Sequence, residues 1–252
     1  MIRPTTIPQT RDDLLVEQAV AREALRLAFL HHQQLATGLK GIQQQREIGA
    51  ALSQSESGQT LVNMFDLGLI IGSGGVLSHA PRRHQAALMM IDAFLPLGIT
   101  MLAVDSIFMM PQLGVLSRDY PEMAHQIFRR DCLIPLGPVV APLGASKEGS
   151  EVMTVTVRPQ HGELREVTVL AGQLLRLPLV TGESAVLTVH PARGLDMGHG
   201  KGKPVEQQVE GGVVGILLDG RGRPLQLPDD IPARHAKLLE WLLAAGAMDD
   251  GS

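Results

Sequence analysis

The segment Leu67 to Arg83, LGLIIGSGGVLSHAPRR, constrains this chain more than any other. An apolar, strand-like stretch (Leu67 to Ile71) feeds a turn made of Gly72, Ser73, Gly74 and Gly75, and a helical stretch follows from Pro81. Strand, glycine turn and helix in that order belong to α/β folds and form a common nucleotide-binding device. Glycines let the backbone approach a ligand, and helix N-termini carry free N–H groups and the positive end of the dipole. The usual fingerprints are absent: the turn is not G-x-G-x-x-G and lacks the Lys-Ser/Thr of a P-loop. The residues alone leave two readings open, a ligand-cradling loop and a tight turn that needs positive φ.

With 252 residues the chain can hold one large domain or two small ones. A hydrophobic share of 44% is enough for a proper core and argues against overall disorder. A net charge of −4 argues against general nucleic-acid binding, which leaves a basic footprint. One Trp, one Tyr and five Phe supply no stacking platform for single strands. Cys132 is the only cysteine, so neither an intrachain disulfide nor a cysteine zinc cluster can form. The polar start, Met1 to Thr10, is not a signal peptide, and no uncharged apolar run reaches the ~18 residues of a membrane span. A cytoplasmic location without membrane contact is therefore expected.

Along the chain, Pro4 and Pro8 oppose helix in the first ten residues. A helix is predicted from just after Thr10 to about Ala36, on apolar positions such as Leu14, Leu15, Ala19, Val20, Ala24, Leu27, Ala28 and Leu35 and on Asp12 and Asp13 in its first turn. His31 and His32 lie at its end, where adjacent residues point apart and form no metal pair. Residues 38–60 are polar and read as a loop or exposed strand. An α/β pattern follows: strand 67–71, helix 81–95, strand 100–104, a short helix near 111–117 and a helix over 120–131. Asp105 and Ser106 fall at a strand's C-terminal end, where open α/β sheets collect ligands.

After about Leu133 the texture becomes β-rich. Alternating runs predict strands over 152–158, 166–170, 185–190 and 213–219. Asp219 to Pro224, DGRGRP, reads as a hairpin turn, and a last helix spans about 232–245 with a frayed end from Met248. The expected organisation is a helical α/β lobe over 1–132, a β-rich domain over 133–230, and a C-terminal helix and tail over 231–252.

Few residues outside the glycine turn suggest chemistry. Arg82 and Arg83 open a helix against its dipole and read as exposed. His79 and His84 lack metal-ligand neighbours. Asp105 could hold a ribose hydroxyl or a metal-bound water, but capping the next turn is the ordinary role of Asp there. Cys132 reads as a buried structural thiol. No G-x-S-x-G elbow is present and no Ser/His/Asp triad can be assembled. The glycine-rich, basic run from Pro191 to Pro204 has the composition of a phosphate nest, yet joins two strands and reads as a long exposed loop.

Five blocks carry a resemblance: Arg3–Thr10 (RPTTIPQT), Glu17–Ala24 (EQAVAREA), Gly72–Pro81 (GSGGVLSHAP), Ala103–Leu116 (AVDSIFMMPQLGVL) and Val189–Gly194 (VHPARG). Together they resemble the C-terminal part of the glutamate mutase accessory protein L family (MutL/GlmL, unrelated to the mismatch-repair MutL). The similarity runs from about Ile2 to Leu227. The resemblance implies an ATPase fold of the actin, sugar-kinase and Hsp70 type, and reactivation or chaperoning of adenosylcobalamin-dependent mutases. It also implies that Gly72, Ser73, Gly74 and Gly75 make the adenosine-side contact to ATP.

The departures from that pattern are informative. The superfamily's two acidic-glycine phosphate hairpins, D-x-G-x-T and D-x-G-G-x-T, are absent, and Asp196-Met-Gly-His-Gly is a poor substitute in the wrong region. The chain therefore resembles the adenosine-side, C-terminal lobe of an actin-like (ribonuclease-H-like) ATPase plus a small β domain. No catalytic or metal-binding residues are assigned, Mg²⁺ is expected only with the missing N-terminal ATPase lobe, and the chain alone is expected not to hydrolyse ATP. The expected partners are that lobe and a cobalamin-dependent mutase subunit. Cobalamin itself is not expected to bind, because D-x-H-x-x-G does not occur. A nucleotide-independent adaptor and an inactive gene fragment are the alternatives.

Overall fold

The computed structural model describes residues 7–39 and 62–249. The readings for residues 1–6, for the polar stretch over 38–60 from residue 40 onward, and for the tail at 250–252 fall outside them. Helix α1 (Arg11–Leu39) begins where the sequence predicts. Thr10 Oγ1 bonds the Asp13 carboxylate at 2.8 Å and accepts from the Asp13 backbone N–H at 3.1 Å, while the Thr10 N–H donates to the same carboxylate. This reciprocal box satisfies helix donors that have no intrahelical partner. It also holds the Asp13 carboxyl below its ordinary pKa.

Strand β1 (Leu69–Gly72) leads through the glycine turn into the one-turn helix α2 (Gly75–Ser78) and then α3 (Arg83–Phe94). The chain continues through β2 (Gly98–Asp105), α4 (Met110–Leu116), α5 (Pro121–Ile127) and a π-helical turn (Phe128–Cys132). The remaining elements are β3 (Leu133–Ala141), β4 (Glu151–Pro159), β5 (Arg165–Leu170), β6 (Leu174–Leu177), β7 (Ser184–Pro191), β8 (Val205–Glu210), β9 (Ile216–Asp219) and α6 (Ile231–Ala244).

These strands form two sheets, so the fold is mixed α/β with a β-rich part. The first has the order β1-β2-β3-β9-β6 and the second β5-β4-β7-β8. In the first, β1 runs parallel to β2, β3 antiparallel to β2, and β9 parallel to β3. Strands from the 133–230 region thus complete the sheet that β1 and β2 begin.

The side-chain period of two then sorts the core into three layers. Leu102, Val104, Val139 and Leu217 cluster with Ala86, Ala87, Met89 and Met90 of α3, and Ala21 and Leu25 of α1 pack on the same cluster. Their neighbours Ile99, Val140, Ile216 and Leu218 cluster with Val155, Val157, Leu187 and Val189 of the second sheet. The central strands are buried on both faces, which is why they read as near-continuous apolar runs. Truncating a fully buried residue such as Leu102 to Ala is worth roughly 2–5 kcal/mol.

Three strands went unread in the sequence, each for a physical reason. β3 contains Pro135 and Pro138, which cannot donate to a ladder. It tolerates them because β9 pairs only with Val139 and Val140, and a register shift interrupts its pairing with β2. β8 is an exposed edge, so its VEQQVE sequence is polar. β6 is only four residues long.

Asp219 to Pro224 is not the hairpin turn the sequence suggests. β9 ends at Asp219, and the chain continues towards α6 with Arg221 and Arg223 buried beside that carboxylate.

Candidate functional site

β1 and β2 are parallel and end side by side, with Gly72 opposite Val104. The glycine turn and Asp105 therefore share one end of the first sheet. The four turn residues divide by what surrounds them. A Cβ on Gly72 would meet Met90 Sδ at 2.8 Å and Leu77 Cδ1 at 2.9 Å, so this glycine allows α2 and α3 to pack on the strand end. The Ser73 hydroxyl donates to Asp105 Oδ2 at 3.4 Å. Gly74 adopts φ 99° and ψ 160°, a conformation essentially restricted to glycine, and is the N-cap of α2. Gly75 opens α2, and a Cβ there would meet nothing within 4 Å.

Beyond Gly75 lies a cavity of about 790 Å³. Gly75, Val76, His79 and Pro81 form one wall, and Gln9, Thr10 and Glu17 belong to the other. The volume is that of a small-molecule site. α2 is a single turn, so its dipole is slight. What this loop could offer a ligand is open backbone rather than a helix-end field.

Asp105 is fully buried and already committed. Its carboxylate accepts from Met110 N at 3.0 Å and Ile107 N at 3.4 Å, while its carbonyl accepts from the Ser78 hydroxyl at 2.5 Å. This is the capping role, and it welds the glycine turn to the start of α4. Arg82 pairs with Asp249, and Arg83 donates to the Ser78 carbonyl. His84 is held below its ordinary pKa by partial burial, with Arg176 and Arg82 adding to the effect. Burial pushes the Cys132 thiol up, helped by Asp105 and Asp131, which suits an inert core residue. Among the described residues no three His, Cys, Asp or Glu side chains stand together as a metal site, and no helix is long and apolar enough to cross a membrane. The loop from Pro191 to Pro204 is partly interior: Leu195 and Met197 are buried, and Asp196 Oδ1 accepts from Gly198 N and Gly200 N.

The sheet's other end carries a group that sequence reasoning missed. Arg221 and Arg223 both bond Asp219 Oδ2 at 2.8 Å, Arg221 also bonds Asp92 Oδ1 at 2.8 Å, and Arg22 of α1 lies 3.4 Å from Asp92 Oδ2. The Arg221 guanidinium sits 4.9 Å from the Trp241 ring centre, a cation–π contact. Burial alone would raise the Asp219 carboxyl, but the two guanidiniums outweigh it and hold the group far below the usual carboxylate range. Burial would likewise lower Arg221, and Asp219 and Asp92 reverse that. The available signal was Arg221 and Arg223 spaced two and four residues after a strand-ending Asp; Asp92 and Arg22 are distant in sequence and gave none.

The family described as MutL protein matches residues 1–132, a span that includes the glycine turn, α3 and Asp105. No curated protein and no solved structure matches the chain.

Proposed function

The chain belongs to the MutL protein family, and from that premise we propose that it is the adenosine-side part of an ATP-dependent reactivating accessory protein for an adenosylcobalamin-dependent mutase of the glutamate mutase or aminomutase type. Gly72, Ser73, Gly74 and Gly75 form the adenosine contact within an actin-like lobe. The observation that carries this reading is the open backbone at Gly74 and Gly75. Gly75 borders a cavity of nucleotide size, and neither residue has a heavy atom within 4 Å of its Cβ position.

ATP, when bound, supplies the free energy that drives mutase reactivation. In this chain Gly74 lets the backbone turn away from β1, Ser73 and Asp105 hold the turn rigid, and Gly75 leaves room for the nucleoside. Phosphate and Mg²⁺ contacts belong to the acidic-glycine hairpins of the other lobe, so the chain alone binds nucleotide without hydrolysing it.

A second reading, a nucleotide-independent adaptor, draws on a different observation. Ile107, Phe108, Val115, Tyr120 and Met123, just beyond Asp105, are each more than half exposed. Apolar groups gathered in this way mark protein-contact surfaces. Capture of a purified adenosylcobalamin mutase by the immobilised chain separates the two readings. Retention that changes between ATP and nucleotide-depleted buffer is expected. Retention indifferent to nucleotide favours the adaptor, and no retention contradicts both.

A further inference from the structure

The buried charges at the far end of the sheet do not balance. Arg22, Arg221 and Arg223 supply three guanidiniums, while Asp92 and Asp219 supply two carboxylates. The cluster has one cation in excess, and Arg22 is the most loosely held of the three, 3.4 Å from an Asp92 carboxylate that also bonds Arg221. Arg221 and Arg223 are hydrogen-bonded throughout the cluster, but Arg22 Nε and Nη2 are sealed from water and make no hydrogen bond, Nε having only the ion pair with Asp92. Buried guanidinium donors left without hydrogen bonds are costly unless a further anion engages them. Accordingly the Arg22 guanidinium is held below the ordinary arginine range, first by burial and then by Arg221, with Asp92 offsetting only part.

Arg22, Asp92 and Arg221 together line a cavity of about 550 Å³ between α1, α3 and α6. Its walls are otherwise mostly apolar, built from Leu15, Ala19, Leu88, Leu238, Trp241 and Leu242. Arg11, Asp12 and His235 are the other ionisable groups that line it. One cation in excess beside mostly apolar walls is the complement of one kind of molecule.

We propose that this cavity binds a small monocarboxylate with an aliphatic tail, its carboxylate paired with Arg22 and its tail against the leucines and Trp241. The side chain of Arg22 retains partial exposure, and the ligand recruits its idle donors by a rotamer change. A dianion fits poorly, because the buried cluster has only one positive charge in excess and Asp12 and Asp92 also line the cavity. The cavity is separate from the one beside Gly75, so the site stands whether or not that loop binds nucleotide.

Trp241 is the only tryptophan of the chain and lines the cavity, so its fluorescence reports occupancy directly. The intact chain is titrated with butyrate, hexanoate and octanoate, and with octanol as the uncharged control. Saturable changes in Trp241 emission are expected, with affinity rising roughly three- to fourfold per added methylene. Octanol is expected to bind at least about tenfold more weakly than octanoate, and Arg22→Met to weaken octanoate by about 10- to 100-fold. Without ligand, Arg22→Met is expected to be at least as stable as the parent, because Asp92 keeps Arg221; octanoate is expected to raise the melting temperature of the parent only. Should Arg22→Met fail to fold, Leu239→Glu, which places a repelling anion at the exposed rim, is expected to weaken octanoate by at least about tenfold. No saturable change, equal binding of octanol, or undiminished binding by a folded variant would overturn the proposal.

Discussion

Where β1 and β2 finish, Gly74 and Gly75 face open space, and the one buried carboxylate, Asp105, is used up on neighbouring N–H groups. Where β9 finishes, at the opposite end of the same sheet, a Cβ on Gly220 would sit 2.6 Å from the Leu170 carbonyl oxygen, and Asp219 binds two guanidiniums. The first end is shaped by backbone and space, the second by side-chain charge locked in the interior. The difference teaches that glycines mean different things by location. Gly74 and Gly75 leave room, Gly72 lets side chains of the next two helices close on the strand end, and Gly220 lets backbone segments touch.

Substitutions can break this contrast. The largest effect is expected from Asp219→Asn, which leaves two buried guanidiniums short of their partner and should cost about 3–5 kcal/mol in urea unfolding. Asp105→Ala removes a cap and should cost about 1–2 kcal/mol. Equal losses would show that the two ends are not built differently. Gly220→Ala forces a methyl group against backbone and should cost roughly 1–3 kcal/mol, whereas Gly75→Ala should stay within about 0.5 kcal/mol of the parent.

Acid sharpens the same point. The folded-state pKa of Asp219 is depressed, so its contribution is fully present above the ordinary carboxylate value of about 3.9 and is lost as pH falls below it. Equilibrium unfolding measured at falling pH should therefore show a slope below about pH 4 that Asp219→Asn lacks. The smallest effect belongs to His84, whose native pKa is also lowered. Below the ordinary value of about 6.5 the unfolded chain takes up a proton that the native state resists, so stability declines slightly. His84→Gln should flatten that decline, and a steeper one would place His84 in an unrecognised ion pair.

Much of the scaffold was legible in the sequence because local physics and tertiary structure agree there. Thr10 and Asp13 mark the start of α1, and the alternation of Val155 and Val157 with Thr154 and Thr156 marks β4. The glycine turn was legible as a turn after a strand, and the helix read from Pro81 is α3; only the single turn α2 directly behind the glycines went unread. Proline hid β3, because the sequence does not reveal that β9 covers only its last residues. The ion cluster was illegible for a related reason. Arg22, Asp92 and Asp219 meet only after α1, α3 and β9 have packed, and each alone looks like an ordinary surface charge.

The central claim is that the open loop at Gly74 and Gly75 receives an adenine nucleoside. The most direct measurement is calorimetric titration of the chain with ADP, beside Gly75→Val, whose side chain projects into space that no protein atom occupies within 4 Å. The account predicts saturable binding by the parent, weakened at least about tenfold in a Gly75→Val variant of unchanged stability. Binding of equal strength in both, or none by the folded parent, would contradict it.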